Sequence, residues 1–91
     1  MSKIRVLIVD DSRMIRDVLT DILKEQPDIE VVGTAADGAE GLEKAKALQP
    51  DVVTLDIKMP RLGGLETLRR LMTESPTRVL LLSSLTQEGA S

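Results

Sequence analysis

Four short apolar runs, separated by helical patterns, constrain the fold of this chain more than any other feature of its sequence. The runs cover residues 4–9, 31–35, 52–55 and 79–82, and Val, Ile and Leu make up most of them. All four runs predict strands, and the first, at 4–9, predicts a strand that is buried on both faces of a sheet. Because helices separate the strands, we predict a parallel α/β sheet with right-handed crossovers, in the order β-α-β-α-β-α-β.

Three amphipathic segments fill the gaps between these runs. The first segment has Asp11 and Ser12 as candidate N-caps, followed by apolar residues at helical spacing: Ile15, Val18, Leu19, Ile22 and Leu23. The second begins at Asp37, with Glu40 three residues later as in a capping box, and Pro50 ends it. The third follows two glycines and carries four apolar residues: Leu65, Leu68, Leu71 and Met72. Thr86 and Glu88 indicate the start of a fourth helix.

The composition narrows the chemistry that the chain can perform. Its 91 residues suit a single domain, and it contains no histidine, no cysteine and no aromatic residue. Without histidine it lacks the commonest general base and the commonest zinc ligand. A metal ion would therefore have to be held by oxygen atoms, which favours Mg²⁺, Ca²⁺ or Mn²⁺.

The net charge and the hydropathy of the chain limit which partners and which cellular compartment are expected. The net charge of −3 disfavours a nucleic-acid partner, which would require a basic face. No apolar run approaches the ~20 residues that a membrane span needs, and the N-terminus lacks a signal-peptide pattern. Because cysteine is absent, a reducing compartment is the simpler interpretation, and we expect a cytoplasmic protein without a membrane partner.

Carboxylates follow two of the four predicted strands. Asp10 and Asp11 follow the first run, and Asp56 follows the third. The carboxyl ends of neighbouring parallel strands meet at one edge of a sheet, where ligands bind, so we expect the three to converge. Converging carboxylates raise one another's pKa unless a cation such as Mg²⁺ lies among them. An aspartate beside Mg²⁺ is a nucleophile suited to phosphorus, and Ser83 adds a hydroxyl at the same edge.

Each of these residues also has a purely structural interpretation. The segment at 10–12 can simply cap the first helix, Asp56 can be a turn residue and Ser83 a loop residue. Two successive acids are more than a cap requires, and the apolar run before Asp56 stops abruptly at that residue. These two observations favour the chemical interpretation for the acids, while Ser83 alone decides nothing.

Three motifs in this order resemble the response-regulator receiver domain family. They are Val-Asp-Asp-Ser at 9–12, Leu-Asp-Ile-Lys-Met-Pro at 55–60 with Gly64 beyond, and Leu-Ser-Ser at 82–84. The resemblance covers the whole chain and implies a flavodoxin-like, doubly wound sheet with strand order 2-1-3-4. It identifies residues 1–91 as a single receiver domain, truncated before strand five.

The resemblance also implies a role for each matching position. Asp56 is the expected phosphoacceptor. Asp10 and Asp11 are the expected acidic pair that holds Mg²⁺, together with Asp56 and the backbone carbonyl of Lys58. Ser83 matches the switch hydroxyl that turns toward the phosphoryl group. The implied function is that of a two-component signalling receiver, which is a regulatory domain and not an enzyme in its own right.

A narrower resemblance links residues 77–79 and 83–90 to the regulatory domain of the chemotaxis protein-glutamate methylesterase. In that family the receiver restrains a C-terminal esterase domain until a chemotaxis histidine kinase phosphorylates it. The resemblance therefore implies two partners, the kinase and the esterase domain. The esterase itself is not expected here, because a Ser/His/Asp triad needs a histidine.

Two other functions remain open on the sequence. Receivers carry a lysine on a fifth strand, and the chain ends before it. It can therefore be a receiver-derived structural fragment that forms a homo-oligomer, or complements another fragment, through the apolar edge at 79–82. The third candidate is a Mg²⁺ phosphohydrolase with an aspartate nucleophile. That class needs a second acid two residues after the nucleophile, where Lys58 stands.

Overall fold

Strands and helices alternate along the part of the chain that the structure, a computed structural model, describes, namely residues 3–58 and 63–82. The elements are β1 (Ile4–Val9), α1 (Arg13–Lys24), β2 (Ile29–Ala35), α2 (Gly38–Leu48), β3 (Val52–Asp56), α3 (Gly64–Glu74) and β4 (Arg78–Leu82). The predicted order of elements is confirmed. Strand β2 begins at Ile29 rather than at 31, and β4 begins at Arg78 rather than at 79. The predicted fourth helix lies outside the described residues.

The four strands form one parallel sheet in the order β2-β1-β3-β4. This is the predicted flavodoxin-like order, with β1 at the point from which the chain winds in both directions. Val9 is the register partner of Leu55, so β1 and β3 end side by side. The residues that directly follow these two strands therefore lie at one edge of the sheet.

The core lies between the sheet and the pair formed by α2 and α3. It is built by strand side chains from alternate positions, packed against three helix residues: Leu7, Val9, Val53 and Leu55 from the strands, and Leu42, Ala45 and Leu71 from the helices. Val6 and Ile8 are also buried and point to the opposite face, where α1 lies against β1 and β2. Helices thus lie on both faces of the sheet and most of β1 and β3 is buried, whereas Leu80 and Leu81 of β4 are exposed.

Several apolar side chains that were predicted to form buried stripes are exposed instead. On α1 no residue is fully buried, and Ile15, Val18 and Ile22 are exposed. On α3 Leu65 and Met72 are exposed, because that helix turns Gly64, Thr67 and Leu71 to the protein. The spacing therefore identified these helices correctly but placed the buried face of α3 partly on the wrong side. No helix within residues 3–58 and 63–82 is long and apolar enough to cross a bilayer.

The predicted caps begin α1 and α2. The Ser12 hydroxyl accepts a hydrogen bond from the Ile15 N–H (3.3 Å), and Oδ1 of Asp37 accepts one from the Glu40 N–H (2.8 Å). Oε1 of Glu40 accepts a hydrogen bond from the N–H of Ala36, the residue before the N-cap, in an arrangement related to the capping box. These caps satisfy backbone donors that the first turn of a helix leaves free.

Two buried threonines provide a matched test of this packing. The Thr54 hydroxyl has no hydrogen-bond partner among the described residues, whereas the Thr67 hydroxyl donates to the Gly63 carbonyl at 2.9 Å. A buried hydroxyl without a partner is costly, so Thr54→Val should stabilise the protein by about 1 kcal/mol. Thr67→Val removes a formed bond and should destabilise it by about 1 kcal/mol. Urea unfolding measures both, and equal losses in the two variants would contradict the assignment.

Candidate metal centre

Three carboxylates meet at the edge of the sheet where β1 and β3 end. Asp10, Asp11 and Asp56 each offer one oxygen, and these oxygens lie within 4.8 Å of one another. Asp10 and Asp56 are buried, with Asp56 only 2 % exposed, while Asp11 is exposed to solvent. The predicted convergence of the three acids is therefore found in the structure, in an arrangement that is open on the side of Asp11.

Asp10 is held by hydrogen bonds from three directions. Its N–H donates to the Ala35 carbonyl (3.0 Å), and its Oδ1 accepts from the Ser12 N–H (2.8 Å). Its carbonyl accepts from Nη1 of Arg16 (2.7 Å). The bonds come from β2, from the β1–α1 loop and from α1, so the position of Asp10 depends on all three segments.

Asp56 is fixed by the loop that follows it. Its Oδ1 accepts a hydrogen bond from the Lys58 N–H (3.2 Å). The next residue, Ile57, donates its N–H to the Leu82 carbonyl (3.1 Å) and accepts at its own carbonyl from the Gly64 N–H (3.0 Å). The start of the loop is thus tied to β4 on one side and to α3 on the other.

Burial raises the pKa of Asp56 above the ordinary aspartate value. The Lys58 N–H opposes this shift because it stabilises the carboxylate form. The charges of Asp10 and Asp11 raise the pKa further, and so does a hydrogen bond with the Asp11 side chain. The cluster therefore disfavours full ionisation unless positive charge enters it.

The family model of the response regulator receiver domain matches residues 6–90. The chain belongs to this family. The resemblance seen in the three sequence motifs is thereby confirmed, and the flavodoxin-like order of the sheet agrees with it.

Individual relatives show which kinds of receiver-containing protein this chain is similar to. A protein-glutamate methylesterase/protein-glutamine glutaminase from Thermotoga maritima is 58 % identical over 88 residues, which are 97 % of this chain but 26 % of that protein. The chain thus spans about a quarter of the length of this curated relative. The crystal structure of the response regulator domain of Thermotoga maritima CheB is similar with a TM-score of 0.88 and 57 % identity, over 96 % of this chain and 65 % of that one.

A second similar structure is a CheX–CheY complex with BeF₃ and Mg²⁺ from Borrelia burgdorferi. Its TM-score is 0.84 at 37 % identity, and the match covers 98 % of this chain and 68 % of that one. All three comparisons extend over nearly the whole chain, so the receiver assignment does not depend on the motifs alone.

The donor set of this receiver fits a hard divalent cation. All three converging side chains present carboxylate oxygens, which are ligands that Mg²⁺ prefers. Burial and the two neighbouring acids raise the pKa of Asp56, and a cation bound among the three carboxylates would oppose that shift. The predicted Lys58 carbonyl ligand stays a prediction, since the described contact of that residue is its N–H. Ser83 lies outside the described residues.

Two residues matter to this site in ways that the sequence reasoning missed. Arg16 lies between the apolar positions of α1, where a charged residue is expected to face solvent, yet its guanidinium reaches back to the Asp10 carbonyl. Gly64 was noted as part of a motif and of a turn, but the structure shows a steric reason for glycine at this position. A Cβ on Gly64 would lie 2.5 Å from Cα and 2.8 Å from the carbonyl oxygen of Ile57. No sequence signal gives either contact, because both depend on where separate elements meet.

The close approach of α3 to the backbone of Ile57 predicts that any side chain at Gly64 lowers the stability of the protein. Because the atoms that a new Cβ would meet are backbone atoms, Gly64→Ala must displace the loop after Asp56 and should cost roughly 1–3 kcal/mol of stability. Gly63→Ala is the matched control, since no atom of residues 3–58 and 63–82 lies within 4 Å of a Cβ there. Urea unfolding, with the amide NMR shifts of Ile57 and Lys58, measures both effects. Equal stabilities of the two variants would contradict the steric explanation.

The raised pKa of Asp56 predicts how stability depends on pH without metal. Ionising Asp56 costs stability in the folded chain, and this cost is absent at pH below the unfolded pKa of about 4. It appears as pH rises through the higher folded pKa. In Mg²⁺-free buffer, Asp56→Asn should therefore raise the thermal midpoint at neutral pH, and the gain should vanish in acid.

The exposed Asp21 of α1 provides the control for this prediction. Asp21→Asn removes the same charge far from the cluster and should leave the dependence of the midpoint on pH close to that of the wild type. A wild type that is as stable as Asp56→Asn at neutral pH would show that burial of Asp56 carries no electrostatic cost.

Proposed function

We propose that this receiver accepts a phosphoryl group on Asp56 in a Mg²⁺-dependent reaction, as the regulatory part of a chemotaxis methylesterase. The observation that carries the proposal is the convergence of Asp10, Asp11 and Asp56 at one edge of the sheet. Structural capping alone does not require three carboxylates within 4.8 Å, two of them buried. A site for a cation and a phosphoryl donor accounts for all three.

The chain's own groups suit nucleophilic attack by Asp56. The Lys58 N–H holds Oδ1, which orients the carboxylate and leaves Oδ2 to attack phosphorus. Attack forms the O–P bond of an aspartyl phosphate and breaks the bond between phosphorus and the donor, which departs with the electron pair. When bound, Mg²⁺ would neutralise the acids and share an oxygen of the transferred group. Ser83 is proposed as the hydroxyl that meets the phosphoryl group afterwards.

The partners follow from the family and belong to the same proposal. The phosphodonor is a chemotaxis histidine kinase, and the protein that the domain regulates carries a protein-glutamate methylesterase domain like that of the Thermotoga maritima relative. Mg²⁺ as the cation is supported by the Borrelia burgdorferi complex, whose described components include it. The proposed location is cytoplasmic, where such a kinase acts. The domain regulates and does not itself catalyse ester hydrolysis, which its lack of histidine supports.

Intact mass spectrometry tests the phosphoacceptor directly. The protein is incubated with Mg²⁺ and a small acyl phosphate, and a phosphoryl adduct is expected. Asp56→Asn should abolish the adduct, because the amide is not a nucleophile, and Asp21→Asn should retain it. Chelation of Mg²⁺ should reduce it strongly. An adduct that persists in Asp56→Asn would show that phosphate is carried elsewhere and would reject the assignment.

The exposed apolar surface supports a second candidate function, that of a self-associating scaffold. Strand β4 forms one edge of the described sheet, with Leu80 55 % exposed and Leu81 also exposed. Apolar edges of this kind pair with further strands.

We propose that a second copy, or a complementary fragment, covers the β4 edge in the scaffold case. Light scattering should then show a dimer or larger species whose fraction rises with concentration, and Leu80→Lys should shift it to monomer. A monomer at every concentration would eliminate self-association through β4 and leave the phosphoacceptor proposal intact.

A further inference from the structure

Arg16 makes an unusual contact for a residue on the outer side of a surface helix. It lies in the first turn of α1 and is half-buried, and its Nη1 donates to the Asp10 carbonyl at 2.7 Å. A guanidinium has five donors, which suit carboxylates. Here one of them donates instead to a neutral oxygen, the carbonyl of Asp10, although the carboxylates of Asp10 and Asp11 are close by. The contact joins the helix to the peptide that links Asp10 and Asp11.

We propose that Arg16 is a positioning residue for the metal site: it locks the Asp10–Asp11 peptide so that both carboxylates face Asp56. The proposal rests on the Mg²⁺ site of the proposed function. It assigns a role to a residue that belongs to none of the three motifs and is no candidate ligand, since its side chain carries only donors.

The hydrogen bond from Arg16 to the Asp10 carbonyl also constrains Asp11, because the peptide between Asp10 and Asp11 is planar. The carbonyl of Asp10 and the N–H of Asp11 lie in one rigid plane. A hydrogen bond that fixes the Asp10 carbonyl therefore also fixes the orientation of the Asp11 N–H, and with it the direction in which the Asp11 backbone continues. The N–H of Asp10 is fixed on the other side by the Ala35 carbonyl. Because Asp11 is exposed, its direction depends on the backbone that carries it. Loss of the Arg16 bond would leave Asp10 held by its own N–H, which belongs to the preceding peptide, and by its side chain, while its carbonyl would lose the Arg16 donor.

Charge and position predict opposite effects when Arg16 is neutralised. A positive charge near the cluster repels Mg²⁺, so through charge alone Arg16→Gln should tighten Mg²⁺ binding. Through position, the same change should weaken Mg²⁺ binding, because Asp11 is no longer aimed at the ion. Partners that orient metal ligands typically contribute a factor of about 10–100 to affinity. The direction of the change therefore separates the two explanations.

Arg13, three residues before Arg16 in the first turn of α1, provides a matched control. Arg13 is also in the first turn of α1, but its side chain is 87 % exposed and pairs with Asp17 at 3.8 Å. Arg13→Gln removes the same charge from the same turn without touching Asp10. Arg16→Lys keeps the charge and one donor, so it tests whether a hydrogen bond to the carbonyl restores function.

The test is a Mg²⁺ titration of the protein followed by calorimetry and by the amide NMR shifts of Ser12 and Lys58. We expect Arg16→Gln to weaken Mg²⁺ binding by about tenfold, Arg13→Gln to leave it unchanged or slightly tighter, and Arg16→Lys to recover part of the loss. Hydrogen exchange without Mg²⁺ gives a second readout: the Ser12 N–H, which is bonded to Asp10 Oδ1, should exchange faster in Arg16→Gln only.

The outcomes separate this inference from the proposed function. If the wild type binds Mg²⁺ and Arg16→Gln binds it as tightly or more tightly, the positioning role is overturned and the metal site stands. If Arg13→Gln weakens binding as much as Arg16→Gln, the effect is not positional and the inference is again overturned. If the wild type shows no Mg²⁺-dependent shift, the metal site itself fails and the inference fails with it.

Discussion

The parallel pairing of β1 with β3 is the interaction on which the rest of this structure depends. Their register sets Val9 opposite Leu55, so Asp10, which directly follows β1, and Asp56, the last residue of β3, lie close together. The pairing is enforced by apolar side chains on both faces, which would all change sides if the register slipped by one residue. The same burial that stabilises the sheet therefore also assembles the site.

This assembly has an electrostatic cost that the surrounding backbone only partly offsets. Three carboxylates share a small volume, and the pKa of Asp56 is raised by burial first and by its two acidic neighbours second. Donors from the Ser12 and Lys58 backbones hold the side chains in place but carry no full charge. A cation bound among the three carboxylates would offset this cost, as the proposed Mg²⁺ site requires.

Much of this architecture was predictable because it follows from local patterns. The apolar runs predicted the strands, and their alternation with helical segments predicted a parallel sheet. The resemblance to the receiver family supplied the strand order, and the acids after two of the apolar runs predicted the candidate site. Contacts between distant elements were not predictable. Thr67 is fully buried where Leu65 and Met72 were expected, since the tilt of α3 against the sheet selects the buried face. Gly64 and Arg16 likewise acquire their roles only from the meeting of separate segments.

The most direct test of the central claim is urea unfolding with and without Mg²⁺. If the three acids form a cation site in the folded chain only, binding must stabilise the fold by mass action. The expected gain is about 2.7 kcal/mol at a free Mg²⁺ concentration of about 100 Kd, and it should be largely lost in Asp11→Asn. An unfolding free energy that does not change with Mg²⁺, in a wild type that is shown to be folded, would contradict the claim.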